Sequence, residues 1–268
     1  MNSEKSREQQ IVKSWYCNAA PWGRAIREAS IVSRQLVTNQ AIIDAVASVS
    51  PSRILDIGCG EGWLARALSD RGMSVTGVDV VPDLIAQALA SSDAARRDAA
   101  AGDTAAGDTA ARHTPSGAAA PGSVSFHVQD YASIANRQWR CGPFDAAVCN
   151  FSLLGRESVE SLIASLPGYL GDQGHLIVQT LHPVAACGEH PYQDGWREGN
   201  WLGFSADFNN PAPWYFRTLE SWTALLQRCG FDILECREPT AAGALTPASV
   251  IWIGKTRRSA QTRAMESA

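Results

Sequence analysis

The residues of this chain whose types and spacing can do chemistry lie in Asp56-Ile-Gly58-Cys59-Gly60-Glu-Gly62 and in Asp79, seventeen positions further on. Gly58 and Gly60 let the backbone pass close to a ligand. The apolar runs that precede the two landmarks, Arg53-Ile-Leu-Asp-Ile57 and Met73-Ser-Val-Thr-Gly-Val78, read as strands. A strand, a glycine turn, a helix and a second strand ending in a carboxylate make half of a nucleotide-binding βαβ unit, a site for a cofactor that carries a ribose. A dinucleotide fingerprint needs a third glycine at position 63, where the chain has Trp63. That glycine keeps helix and strand in close contact, so the indole argues against NAD or FAD.

The elements that must position these residues alternate along the chain. Strands are predicted at 53–57, 74–79, 123–128, 144–149 and 175–180, with helices at 61–71, 82–90 and 157–166. This order specifies a mainly parallel sheet with right-handed crossovers. A helix over 218–230, closed by Gly230, precedes strands at 232–238 and 249–256 that should pair as an antiparallel hairpin. Residues 11–49 read as helices, with Leu36, Ile42, Ile43 and Val46 at helical spacing and Pro51 as the stop. Residues 1–50 are thus expected to cap a single core domain at 51–256, ahead of a polar tail at 257–268.

Three further landmarks follow in order: Gln129-Asp130-Tyr131 after the third strand, Phe144-Asp-Ala-Ala-Val-Cys-Asn150 and Gly174-His-Leu-Ile-Val-Gln-Thr180. Together with Asp56-x-Gly58-x-Gly60-x-Gly62 and Asp79, over residues 35 to 256, the chain resembles the class I S-adenosylmethionine (SAM) dependent methyltransferases, in particular their small-molecule, ubiquinone and menaquinone biosynthetic branch. The resemblance implies an α/β, Rossmann-like sheet of seven mostly parallel strands with an antiparallel C-terminal hairpin. It also implies helices on both faces, an N-terminal helical cap, and methyl transfer from SAM with S-adenosylhomocysteine as product.

Composition sets the outer limits. With 268 residues, 45% of them hydrophobic, the chain can bury one full-sized core. A net charge of −4 is a poor match to nucleic-acid phosphates, so a small-molecule substrate is expected. Cys17, Cys59, Cys141, Cys149, Cys187, Cys229 and Cys236 form no C-x-x-C and are expected as buried reduced thiols. The polar first ten residues precede no apolar signal core, and no run of ~18 apolar residues occurs, so a cytoplasmic protein without a membrane span is expected. No Cys, His and carboxylate set has zinc spacing, so no metal is expected. Residues 90–122 hold thirteen alanines in thirty-three positions and a tandem Ala-Ala-Gly-Asp-Thr, and read as a low-complexity surface insertion in which His113 is inert. It is either a neutral expansion or a regulatory segment.

For the cofactor, amides of Gly58 to Gly62 suit the methionyl carboxylate, since orphan N–H groups at a helix start favour negative charge. Asp79 is placed to accept both ribose hydroxyls; its alternative is a helix N-cap before Pro82. By resemblance, Asp130 accepts from the adenine amino group with Tyr131 beside it, unless it is a plain turn aspartate. Asn150 and Phe151 end the fourth strand beneath the sulfonium, with the Asn150 carbonyl as partner of the ammonium. Asp56 is expected to orient the glycine loop, and Cys59 and Val80 to lie along the cofactor. The segment Ser14 to Glu28 resembles the leading helices of small-molecule methyltransferases, which fold over the cofactor; Tyr16 and Trp22 can then close the site, and Arg27 or Arg34 either pairs with the carboxylate or lies on a solvated helix face.

For the acceptor, eight aromatics fall between 192 and 216. Tyr192, Trp196, Trp201, Trp214 and Tyr215 either wall a pocket for a planar or apolar molecule, within a lid at 183–217, or form a satellite core. His182, just past the fifth strand, is a candidate general base or a loop-orienting histidine; His190 and Asp194 are weaker candidates. Catalysis is expected to be mainly in-line positioning. Two rival functions remain, an NAD(P)-dependent oxidoreductase, which Trp63 and the lack of a Tyr-x-x-x-Lys pair oppose, and a SAM-binding partner or sensor without turnover. The acceptor atom and the oligomeric state are open.

Overall fold

Apolar residues alternate between two faces along the central strands, and that alternation dictates three layers. In the computed structural model, which describes residues 2–104 and 122–257, strand β1 (Arg53–Ile57) turns Leu55 and Ile57 to one cluster and Ile54 to the other. Strand β4 (Phe144–Asn150) divides Ala147 and Cys149 from Ala146 and Val148 in the same way. Strands buried on both faces read as near-continuous apolar runs because helices cover both.

With β2 (Ser74–Asp79), β3 (Val124–Val128), β5 (Leu170–Leu181), β8 (Phe231–Arg237) and β9 (Ser249–Thr256), these strands form one sheet of order β3-β2-β1-β4-β5-β9-β8. β3, β2, β1, β4 and β5 are parallel, while β9 runs antiparallel to both β5 and β8. The order reverses between β1 and β4, the switch point at which open α/β sheets leave a crevice beyond the strand ends.

Helices α2 (Asn39–Ala47), α3 (Trp63–Ser69) and α4 (Pro82–Thr104) bury Ile42, Leu64, Leu68 and Ile85 on one face. On the other, α5 (Tyr131–Ala135), α6 (Glu157–Ser165) and α8 (Leu219–Arg228) bury Ile134, Leu162, Trp222 and Leu226. Full burial of side chains of this size contributes about 1.5–3 kcal/mol each. Helix α1 (Asn2–Arg27) packs against α4, where Ala19 meets Val81 and Leu84. None of the helices among the described residues is long and apolar enough to cross a membrane.

Several expectations need correction. Helix α4 runs on to Thr104, so the start of the 90–122 segment is helical; alanine has the highest helix propensity, and a low-complexity run of it extends a helix already begun. Residues 105–121, with His113, and 258–268 of the tail lie outside the described residues. Leu36 is 72% exposed on a π-helical turn at Arg34–Thr38 and is no core residue. The 183–217 segment contains helix α7 (Pro183–Ala186) and a small antiparallel pair, β6 (Gly195–Arg197) with β7 (Trp214–Phe216). All seven cysteines are free thiols, but Cys17, Cys141 and Cys236 are exposed, because each lies on an outward face or in a surface loop.

Candidate functional site

The glycine loop is held mainly by its own amides. Gly58 N–H and Cys59 N–H both donate to the Val78 carbonyl, at 2.8 and 3.0 Å, and Gly62 N–H donates to the Cys59 carbonyl at 3.0 Å. Gly60 N–H donates to Asp79 Oδ2 at 2.9 Å. The expected amide cradle for a carboxylate is therefore corrected for Gly58, Cys59, Gly60 and Gly62, whose N–H groups are spent inside the protein, and α3 begins only at Trp63. Gly58, Gly60 and Gly62 all have positive φ, at 72, 59 and 82°. A Cβ on Gly62 would stand 2.6 Å from Phe126 Cζ. Gly62 thus brings helix and sheet together, the task of the missing glycine at 63.

Asp79 Oδ1 also accepts from Val81 N–H at 2.9 Å, so the carboxylate ties the ends of β1 and β2 while it faces a cavity. Burial raises its pKa above the ordinary aspartate value. Asp56 is 1% exposed, its Oδ2 has no partner, and burial, with Asp79 and Glu61 nearby, pushes its pKa up to about 7. The Cys59 thiol is raised too, by burial foremost, and is no thiolate nucleophile.

At the end of β4, Phe151 takes a left-handed conformation, φ 55°, and its N–H donates to the Gln179 carbonyl at 2.8 Å. Non-glycine residues seldom adopt this backbone, and here it turns the chain along the cavity floor. Tyr131 Oη donates to the Ser152 carbonyl at 2.9 Å and Ser152 Oγ to the Ile57 carbonyl at 2.7 Å, which binds the ends of β1, β4 and α5 together. Asp130 caps α5 by accepting from Ser133 N–H at 2.7 Å, and it also lines the cavity.

The cavity, about 420 Å³, joins two sets of residues. Gly58, Gly60, Asp79, Val80, Asp130, Tyr131, Asn150 and Phe151, all named from the sequence, lie along it together with Trp22. Asp56 and Cys59 do not: both are buried beneath the loop. The other wall lies in the N-terminal helical segment that was expected to fold over the site, though the residues that form it were not named from the sequence. It is α1, through Lys5, Glu8, Gln9, Ile11, Val12 and Trp15, with Leu154, Gly155 and Ser158 after β4. The signal for its apolar part was the spacing of Ile11, Val12 and Trp15, one helical stripe; the polar residues gave none.

Other candidates lie elsewhere. Tyr16 is half exposed, does not line the cavity, and donates to the carbonyl of Val80, which does, at 3.0 Å. Arg34 is enclosed between Trp22 and Trp63, 5.5 and 4.8 Å from their ring centres, and burial lowers its pKa to about 10. Arg27 bonds Gln87 Oε1 at 3.3 Å.

None of Tyr192, Trp196, Trp201, Trp214 and Tyr215 lines the cavity. They pack on one another and on α1: Trp196 with Tyr215, Tyr192 with Phe216, Trp214 with Phe216, and Trp201 with Trp15, Phe204 and Phe208. They are half-buried or exposed, and they meet α1 through Trp201 on Trp15 and Trp196 under Arg7. Asn18 and Asn209 exchange two hydrogen bonds, 2.8 and 3.0 Å, and Arg24 pairs with Asp207 at 2.9 Å.

His182 is likewise outside the cavity. It is buried, its Nε2 lies 3.1 Å from Glu238 Oε1, and it immediately precedes α7. Asp194 accepts from Thr218 N–H at 2.9 Å and from Ser221 Oγ, so it secures the start of α8. His190 serves in the turn after α7 through its N–H to the Cys187 carbonyl, 3.1 Å. Among the described residues no group of three or more His, Cys, Asp or Glu side chains is disposed to hold a metal ion.

Residues 33–236 match the family model described as a methyltransferase domain. Among curated proteins, a ubiquinone biosynthesis O-methyltransferase of Xylella fastidiosa is 51% identical over 41 residues, 15% of this chain and 17% of that protein. One of Xanthomonas axonopodis pv. citri is 27% identical over 136 residues, 51% of this chain and 46% of that protein. The chain thus spans less than half the length of the curated relatives it matches. Among solved structures, a SAM-dependent methyltransferase from Methanosarcina mazei superposes with a TM-score of 0.55 at 18% identity, over 80% of this chain and 98% of that one. A TehB-like SAM-dependent methyltransferase from Corynebacterium glutamicum gives 0.53 at 17% identity, over 90% and 98%. With three quarters of its length in the family match and a seven-stranded sheet of that fold beneath the cavity, the chain belongs to the methyltransferase domain family and carries it on the Rossmann-like fold of the SAM-dependent methyltransferases.

Proposed function

We propose that this chain transfers a methyl group from SAM to a planar or apolar small molecule, leaving S-adenosylhomocysteine. The observation that carries the reading is one cavity lined by two chemically different sets: carboxylates, glycines and Asn150 at the ends of β1, β2, β3 and β4, and residues of α1 that include the apolar stripe Ile11, Val12 and Trp15. Its volume, about 420 Å³, lies within the ~300–1,000 Å³ of small-molecule sites.

The residues present fit the cofactor. Asn150 Oδ1 is a buried acceptor without a partner, suited to the ammonium group. Asp79 spends one lone pair of each oxygen on a backbone amide and keeps others for the ribose diol. Asp130, with Oδ1 on Ser133 N–H, keeps Oδ2 for the adenine amino group. When bound, SAM supplies an electrophilic methyl group on a sulfonium. The protein orients the acceptor on that methyl and, through Ile11, Val12 and Trp15, keeps water from it. The curated relatives are named for ubiquinone biosynthesis, and an acceptor of that planar kind suits the α1 stripe.

Calorimetric titration tests the reading. SAM and S-adenosylhomocysteine should bind and NAD should not; stabilisation by NAD(H) equal to or above that by SAM would end it.

A further inference from the structure

On the reading just proposed, the cavity needs a group that takes the acceptor's proton, and His182 is not there to do it. We infer that Glu8 of α1 is a catalytic residue, the carboxylate that holds and deprotonates a hydroxyl oxygen or an amine nitrogen as the methyl acceptor.

Glu8 lines the same cavity as Asp79 and Asp130, from helix α1. One of its oxygens is fixed: Oε1 accepts from Arg156 N–H at 2.8 Å and Ser158 N–H at 3.3 Å, across nearly the whole length of chain between α1 and α6. The other, Oε2, takes none of the hydrogen bonds among the described residues. It stands by Gly155, where an added Cβ would come within 2.5 Å of it. The glycine leaves room that a side chain would fill, on the cavity wall to which both residues belong. Two amide donors hold the carboxylate in one orientation while its second oxygen stays available. Pinning one oxygen leaves the other a defined direction, the geometry an in-line reaction requires.

The step balances simply. The acceptor's O–H or N–H bond breaks and its proton passes to Glu8 Oε2. The electron pair so freed forms the bond to the methyl carbon, the carbon–sulfur bond breaks, and its pair stays on sulfur as a neutral thioether. The proton then leaves Glu8 for water.

A merely structural Glu8 would latch α1 to α6, and Glu8→Gln separates the two roles. Its carbonyl still accepts both amides, so the latch survives, but the charge and the basic oxygen are gone. The probes are SAM, for calorimetry and thermal melting, and a panel of phenols, aliphatic alcohols and amines, for S-adenosylhomocysteine formation. The expected result is wild-type turnover of at least one panel member, with Glu8→Gln melting and binding SAM as wild type does while kcat falls about 10²-fold or more. Glu8→Ala should lose stability as well. A Glu8→Gln variant with wild-type kcat overturns the proposal, and so does wild-type protein that binds SAM but methylates none of the O–H or N–H acceptors. Wild-type protein that fails to bind SAM sinks the methyl-transfer reading itself, a different outcome.

Discussion

Gly60 N–H donates to Asp79 Oδ2 at 2.9 Å, so the turn after β1 and the carboxylate that ends β2 form one unit rather than two independent parts of a site. Asp79 fixes the loop that shapes the cavity floor and faces that cavity with its remaining lone pairs. Loss of the carboxylate should therefore act on binding and on the loop together.

Asp79→Ala is expected to weaken SAM binding by roughly 1.5–3 kcal/mol, the scale of hydrogen bonds to a charged acceptor. It should also lower the melting temperature, because Gly60 and Val81 lose their acceptor. Asp79→Asn keeps one acceptor oxygen and should fall between. Calorimetry beside a melting curve checks this; unchanged affinity would reduce Asp79 to a structural tie.

Asp56 predicts a pH dependence. Its folded-state pKa, pushed up to about 7, lies above the unfolded value. Between the two the folded chain keeps a proton that the unfolded chain has released, so stability falls as pH rises from about 4 to about 7 and levels off above. Asp79, raised in the same direction, adds to the slope. In Asp56→Asn the slope should shrink by up to roughly 4 kcal/mol over that window. Urea midpoints at pH 5 and pH 8 for both proteins decide it; parallel pH profiles would refute the assignment.

Gly62→Ala should destabilise the domain by roughly 1–3 kcal/mol through overpacking, since its Cβ would meet Phe126 at 2.6 Å, and further through backbone strain, since its φ is 82°. Adding Phe126→Leu should recover part of the loss. A double-mutant cycle measures the coupling, and strict additivity would show that the two side chains do not compete for the space.

His182→Ala should change kcat by less than about tenfold, well short of the 10²–10⁴-fold of a lost general base. Its cost should appear in stability, about 1 kcal/mol for the bond with Glu238. A large kcat loss at unchanged stability would return His182 to the reaction.

Local pattern determined what local physics can determine. The apolar runs around Ile54, Val75, Ala147 and Ile177 allow only strands buried on both faces, and Gly58 and Gly60 with Asp79 specify the turn and the carboxylate that face the cavity. Those features depend on neighbours within a few residues, or on a sheet order with few alternatives. Tertiary structure decided the rest, because it depends on which distant side chains meet. Whether Trp201 walls a pocket or anchors a helix turns on its contact with Trp15, and whether His182 faces an acceptor turns on Glu238. Glu8 gives no sign in the sequence; it enters the site only because the amides of Arg156 and Ser158, brought up by the start of α6, leave one of its oxygens free beside Gly155.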